Sequence, residues 1–170
     1  MKKSLSILLA FVMFCSIVLQ FDNAAYAGEV PSNVITNIRL EDESGGAIYN
    51  IKQWQAMKVI MAFKLLDNEI HEGDTTTITL PKELLFVDVP IKFDVKDSNG
   101  KVVAIAKVDH NKKTITLTYT DYPQSHSGVT GALFFYSRID HEKEKKTITL
   151  DFKVGNEIIN GGSVEWEGPG

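Results

Sequence analysis

Apolar side chains recur at every second position in segment after segment of this chain, and that period leaves little room for anything but half-buried β-strands. Ile115, Leu117 and Tyr119 alternate with Thr114, Thr116, Thr118 and Thr120. Ile91, Phe93 and Val95 alternate with Lys92, Asp94 and Lys96, and Ile148, Leu150, Phe152 and Val154 with Thr147, Thr149, Asp151 and Lys153. A two-residue period sends one set of side chains to each face of a strand, so each segment carries an apolar face that must be covered.

The punctuation between these segments suits short strands. Val34–Leu40 reads as a first strand after a polar leader, Gly28–Ser32. Thr75–Leu80 is a strand stopped by Pro81, and Glu83–Phe86 fits either one helical turn or a short strand. Asp97-Ser98-Asn99-Gly100 predicts a hairpin, because Asn-Gly supplies backbone with φ > 0. Val102–Val108 and Thr114–Thr120 then complete a meander. Ala132–Ile139 carries Phe134 and Tyr136 on one face and Phe135 on the other. Gly155-Asn156 and Asn160-Gly161-Gly162 read as turns, with a last short strand over Ser163–Glu167. Residues 53–66 fit a helix or a strand by spacing; the β character of every later segment favours strand. The expected fold is all-β, one immunoglobulin-like β-sandwich of about eight or nine strands.

Residues 1–27 have the form of a secretory leader: Lys2 and Lys3, an apolar run from Leu5 to Leu19, and Ala25-Tyr26-Ala27 as the cleavage site. Residues 28–170 are then a single domain without cysteine, since Cys15 leaves with the leader. A disulfide-free exported domain must be held by its core, which suits a bacterial secreted protein. Removing Lys2, Lys3 and Asp22 leaves 16 basic and 21 acidic residues, a formal charge of −5. That balance gives nucleic-acid binding no support, and no second apolar run implies membrane insertion after cleavage.

Other chemistry is thinly marked. His71, His110, His126 and His141 lack paired ligand spacing, so no metal is implied. Ser125-His126-Ser127 with Asp121 lacks a nucleophile-elbow pattern. An intramolecular isopeptide bond would need one of the strand lysines, Lys58, Lys64 or Lys107, buried beside Asn156 or Asn160. For Trp54, packing in the core or at a sheet edge outweighs ligand contact, whereas nothing decides the role of Trp166.

The stretch Thr116-Leu117-Thr118-Tyr119-Thr120-Asp121-Tyr122-Pro123 resembles the T-Y-T-F-T-D-Y-V signature of Gram-positive cell-wall adhesins, the fibrinogen- and collagen-binding MSCRAMM type. Leu117, Tyr119 and Pro123 depart from it. Gly73-Asp74 with Leu80-Pro81, the hairpin Phe93–Val103 and the aromatic strand Gly131–Arg138 resemble further segments of these proteins' first immunoglobulin-like subdomain, in the same order. The likeness runs over residues 34–154.

This resemblance implies cell adhesion and not catalysis, with no cofactor. It implies as partners a host extracellular-matrix protein, collagen favoured over fibrinogen, and a second immunoglobulin-like subdomain whose C-terminal strand latches across the first. The latching trench would include Thr116, Thr118, Thr120, Asp121 and Tyr122, left on an open sheet edge or face without the partner strand. The expected location is outside the cell or on its surface, held in the wall if an anchor follows. An isolated first subdomain or a truncated product is expected, since a second subdomain does not fit within these residues. A spacer module with no ligand of its own is the alternative.

Overall fold

The structure, a computed structural model, describes residues 27–30, 32–140 and 146–168. The leader up to residue 26, His141 and the charged turn that follows it lie outside the described residues. Eleven strands occur among those described: β1 (Ile35–Glu41), β2 (Asn50–Ile51), β3 (Met57–Lys64), β4 (Thr75–Thr79), β5 (Leu84–Phe86), β6 (Lys92–Lys96), β7 (Val102–Asp109), β8 (Thr114–Tyr119), β9 (Thr130–Ile139), β10 (Lys146–Val154) and β11 (Glu157–Trp166). They form a four-stranded sheet, β1-β3-β9-β5, and a seven-stranded sheet, β2-β11-β10-β4-β8-β7-β6. The expectation of an all-β fold therefore holds, with eleven strands among the described residues where about eight or nine were expected.

Each strand pattern goes where its period sends it. Met57, Val59, Met61 and Phe63 of β3, Leu133 and Phe135 of β9, Ile115, Leu117 and Tyr119 of β8, and Ile148, Leu150, Phe152 and Val154 of β10 join one buried cluster. Residues 57–64 are strand because β3 is the centre of its sheet, paired along its length with β1 and β9. Tertiary pairing outweighs the helix propensity of Met, Ala, Lys and Leu.

The β6–β7 turn is built differently from a two-residue hairpin. Only Gly100 has positive φ, at 81°. The buried Asp97 carboxylate accepts from the amides of Asn99 and Lys101, both at 2.9 Å, and shapes the turn as an Asx motif. The Ser98 amide then donates to the Thr130 carbonyl at 2.8 Å, tying this turn to β9 in the other sheet.

Three local expectations are corrected. Asn160-Gly161-Gly162 is not a turn but the middle of β11, a ten-residue strand. The register against β10 slips there: Thr149 faces Ser163 while Asp151 faces Asn160, so two glycines oppose one leucine. Gly162 takes φ +100° to make this bulge, and a Cβ on Gly161 would stand 2.6 Å from Phe152 Cε2. Trp54 is outside the core, 64% exposed in the bend before β3, whereas Trp166 is 1% exposed inside it. The Gln55 amide bonds back to the Lys52 carbonyl, which throws Trp54 outward at φ +65°. Finally, Gly28–Val30 is no free leader: Glu29 forms a parallel bridge with Thr75 on β4.

Candidate functional site

The sequence-derived site residues lie on and just after β8. This strand has no open edge. It pairs with β4 from Thr114↔Thr79 to Thr118↔Thr75, and with β7 from Thr114↔Asp109 to Tyr119↔Ala104. Thr116 and Thr118 therefore present side chains from the outer face of the larger sheet. Cross-strand pairing puts them in two rows: Thr75, Thr118, Ile105 and Asp94 in one, and Thr77, Thr116, Lys107 and Lys92 in the other.

Past β8 the chain turns out of the sheet. The Thr120 amide donates to the Val103 carbonyl at 3.0 Å, and its hydroxyl donates to the Val102 carbonyl at 2.9 Å. This pins the exit of β8 to the start of β7. Asp121 caps a single helical turn, Tyr122–Ser125, without a side-chain capping bond, so its carboxylate stays exposed. Pro123 at the head of that turn is buried; its fixed φ suits a first helical position.

An open groove of about 850 Å³ lies over this region, lined by Glu72, Ile91, Lys92, Ile105, Lys107, Val108, Thr118, Tyr119, Thr120 and Asp121. Of the five expected residues, Thr118, Thr120 and Asp121 border it together. Thr116 lies on the same face one row away. Tyr122 is not in the lining: it packs against the core and its ring stacks on His126, with centroids 3.8 Å apart. Sequence reasoning missed Ile91, Lys92, Ile105 and Lys107. The hairpin register that sets Ile105 opposite Thr118 was the available signal. Ile91, 72% exposed, gives the groove an apolar wall, and its lining carries both cations, Lys92 and Lys107, and anions, Glu72 and Asp121. The site is thus a mixed trough with a threonine floor, able to take backbone and apolar groups at once.

Tyr119 anchors the groove from below. Its phenol is buried and hydrogen-bonded to the Thr76 hydroxyl at 2.7 Å. Burial pushes its pKa up to about 12, with the Thr76 bond pulling the other way.

Other candidates are also placed. Ser125 Oγ is 3.0 Å from His126 Nδ1, but that nitrogen also lies 3.0 Å from the Tyr122 carbonyl. A carbonyl brings no proton, so Nδ1 carries the hydrogen there and has no lone pair to take one from Ser125. Lys64 and Lys107 are exposed, Lys58 stands over the Phe134 ring at 4.2 Å, and Asn160 donates to Asp151. None of these lysines is buried. No group of three His, Cys, Asp or Glu side chains suited to a metal occurs among the described residues, and no helix among them is long and apolar enough to cross a membrane. A second recess of about 460 Å³, lined in part by Phe93, Phe134 and Tyr136, opens between β6 and β9 away from the sequence-derived residues.

A sequence profile described as a bacterial Ig domain matches residues 50–149, more than half of the chain. The chain belongs to the bacterial Ig domain family. The match spans β3 to β9 and so contains the groove. Relatives of this Ig domain include the serine-aspartate repeat-containing protein E of Staphylococcus aureus (strain Mu50), 32% identical over 110 residues that cover 61% of this chain and 10% of the relative. The fibrinogen-binding protein of Staphylococcus epidermidis is 29% identical over 147 residues, 79% of this chain and 13% of the relative. The Ig domain chain thus spans about a tenth of the length of these curated relatives. The collagen adhesin of Staphylococcus aureus has the same fold, with a TM-score of 0.56 and 18% identity over 80% of this chain and 44% of that one. The family resemblance seen in the sequence is borne out.

Proposed function

We propose that this bacterial Ig domain is the adhesion module of an exported Gram-positive surface protein, that residues 1–27 are a leader removed before Gly28, and that the groove over β7 and β8 receives a host extracellular-matrix protein. The observation that carries the reading is the convergence of Thr118, Thr120 and Asp121 with Ile91 and Ile105 in one groove. It stands in a chain related to a protein named for fibrinogen binding. The role is binding, with no catalytic step and no cofactor. A second immunoglobulin-like subdomain is the proposed partner that closes the trough over its ligand. Sequence kinship favours a fibrinogen-class ligand; the expected collagen preference has the fold likeness to the collagen adhesin behind it.

The test is surface plasmon resonance of residues 28–170 over immobilised collagen and fibrinogen, alone and with a second Ig-like subdomain from a relative. Saturable binding to one of them is expected, weakened at least about tenfold by Ile105→Glu or Thr118→Lys, the loss typical of a central contact. Absence of binding in both formats, or binding untouched by these changes, would sink the assignment. The full pairing of β8 favours a second reading, a spacer module. A latching strand cannot add its backbone to an interior strand, so it would have to lie across the threonine face. A spacer gives no binding in either format.

A further inference from the structure

The N-terminal residues are held more closely than a linker needs to be. β10 pairs with β4 only at Thr79 and Ile78; the Gly155 amide donates to the Thr77 carbonyl at 2.9 Å and the chain then turns into β11, which leaves an uncovered edge at the Thr75 end of β4. Gly28–Val30 fills it. The Val30 amide donates to the Thr75 carbonyl at 2.7 Å, and the Thr75 amide donates to the Gly28 carbonyl at 2.9 Å. The Glu29 carboxylate accepts from the Thr77 amide at 2.7 Å and from the Thr75 hydroxyl at 3.0 Å. Val30 is buried in the core. The Gly28 nitrogen itself lies 3.0 Å from Asp74 Oδ1. Asp74's other oxygen takes the His71 amide at 2.8 Å, with His71 Nδ1 at 3.6 Å and the Asp74 side chain only 13% exposed.

We infer that Asp74 is a built acceptor for the α-ammonium created at Gly28 when the leader is removed, so that cleavage turns a hydrogen bond already in place into a charge-assisted one and fastens Gly28–Val30 to β4 more tightly. The inference rests on the proposed cleavage after Ala27. Hydrolysis of the Ala27–Gly28 bond by a leader peptidase consumes one water: the oxygen goes to the Ala27 carboxylate, and the Gly28 nitrogen leaves as a protonated amine. Before cleavage that nitrogen is a neutral amide with one hydrogen to give. Afterwards it is a cation with three, next to a carboxylate already in place. A charge-assisted bond is shorter and roughly twice as strong as a neutral one. The charged or titratable groups facing it are Asp74 and His71 from the loop before β4 and Glu29 from its own segment. Glu29 is already engaged by the threonines of β4, which leaves Asp74 to the amine. Burial raises the Asp74 carboxyl, but the bonds from Gly28 and His71 outweigh it and hold it below its ordinary value.

The test compares three chains released from a fusion: one starting at Gly28, one starting at Ala27, and one starting at an acetylated Gly28, each as wild type and as Asp74→Asn. In urea unfolding near neutral pH, the free Gly28 chain is expected to show an unfolding constant smaller by about three- to tenfold than the other two, the range for a charge-assisted bond at a partly exposed site. The advantage disappears in Asp74→Asn. Should that variant not fold, an NMR titration of the ¹⁵N-labelled Gly28 amine in the wild type decides: a midpoint above the ordinary α-amino value of about 7.7–8.0 supports the site, and an ordinary midpoint overturns it. Equal stability of the three wild-type chains also overturns it. Intact mass of the exported protein separates the premise from the inference. A mature terminus other than Gly28 removes the leader assignment and the maturation role with it, whereas equal stabilities at a confirmed Gly28 terminus remove the Asp74 site alone.

Discussion

The Tyr119 phenol and the Thr76 hydroxyl meet at 2.7 Å inside the sandwich, with 3% and 0% of the two residues exposed. Both belong to the larger sheet, on the neighbouring strands β8 and β4. Two polar groups are thus buried as a satisfied pair directly beneath the groove, and neither finds water if the other is removed.

Tyr119→Phe is expected to destabilise the domain by about 1–3 kcal/mol, because the Thr76 hydroxyl is left buried without a partner. Thr76→Val in the same background recovers most of that loss, since two apolar groups of similar shape replace the pair. Equilibrium urea unfolding of the two single variants and the double variant checks it. Additive losses would count against the pairing.

The same phenol sets an alkaline limit. Its pKa is about 12 in the folded domain and about 10 unfolded. Below pH 10 both states keep the proton, and its contribution to stability is full. Between pH 10 and 12 the unfolded state loses the proton first, so stability falls by roughly 2–3 kcal/mol at the top of that window. Phenolate absorbance should show one tyrosine that ionises only near pH 12 or on unfolding, an anomaly absent from Tyr119→Phe.

Gly161→Ala is expected to cost about 1–3 kcal/mol by overpacking. The new methyl would meet Phe152 Cε2 at 2.6 Å and Ile38 Cγ2 at 3.3 Å, and the Phe152 ring is fully buried. Adding Phe152→Leu should return part of the loss in thermal or urea unfolding. No recovery would mean that the backbone of the bulge, and not the ring, resists the change.

The two tryptophans should separate cleanly in fluorescence. Trp166 is 1% exposed and Trp54 is 64% exposed, with the Arg138 guanidinium 4.7 Å from its ring centroid. Trp54→Phe is expected to leave a blue-shifted emission almost untouched by acrylamide, while stability changes by less than about 0.5 kcal/mol, as for surface sites. Strong quenching of the remaining tryptophan would contradict the burial of Trp166.

Much of the fold was legible because most of its strands carry their burial pattern locally. The alternation of Ile115, Leu117 and Tyr119 against four threonines is visible without any partner, and so is the meander from Lys92 to Tyr119. What was not legible depends on contacts distant in sequence. Gly161 and Gly162 look like a turn until Phe152 needs the space and the β10–β11 register needs a bulge. Gly28–Val30 looks like a polar leader until β10 ends at Val154 and leaves the Thr75 end of β4 to fill. The site divides in the same way. Thr118, Thr120 and Asp121 were found along one continuous stretch, β8 and its exit, but Ile91 and Ile105 enter the groove only through pairing across β6, β7 and β8. Tyr122 belongs to the local signature, yet it stacks on His126, four residues further on.

The short seam between β4 and β10, two residue pairs long, has a mechanical meaning. One end of the described chain is fastened to β4 through Glu29 and Thr75; the other lies in β11, which β10 joins to β4. Tension applied between the ends of the domain therefore passes through the larger sheet and across a join of only two residue pairs. Under flow, the domain would yield first at that join, and β8 with its groove would still be clamped between β4 and β7.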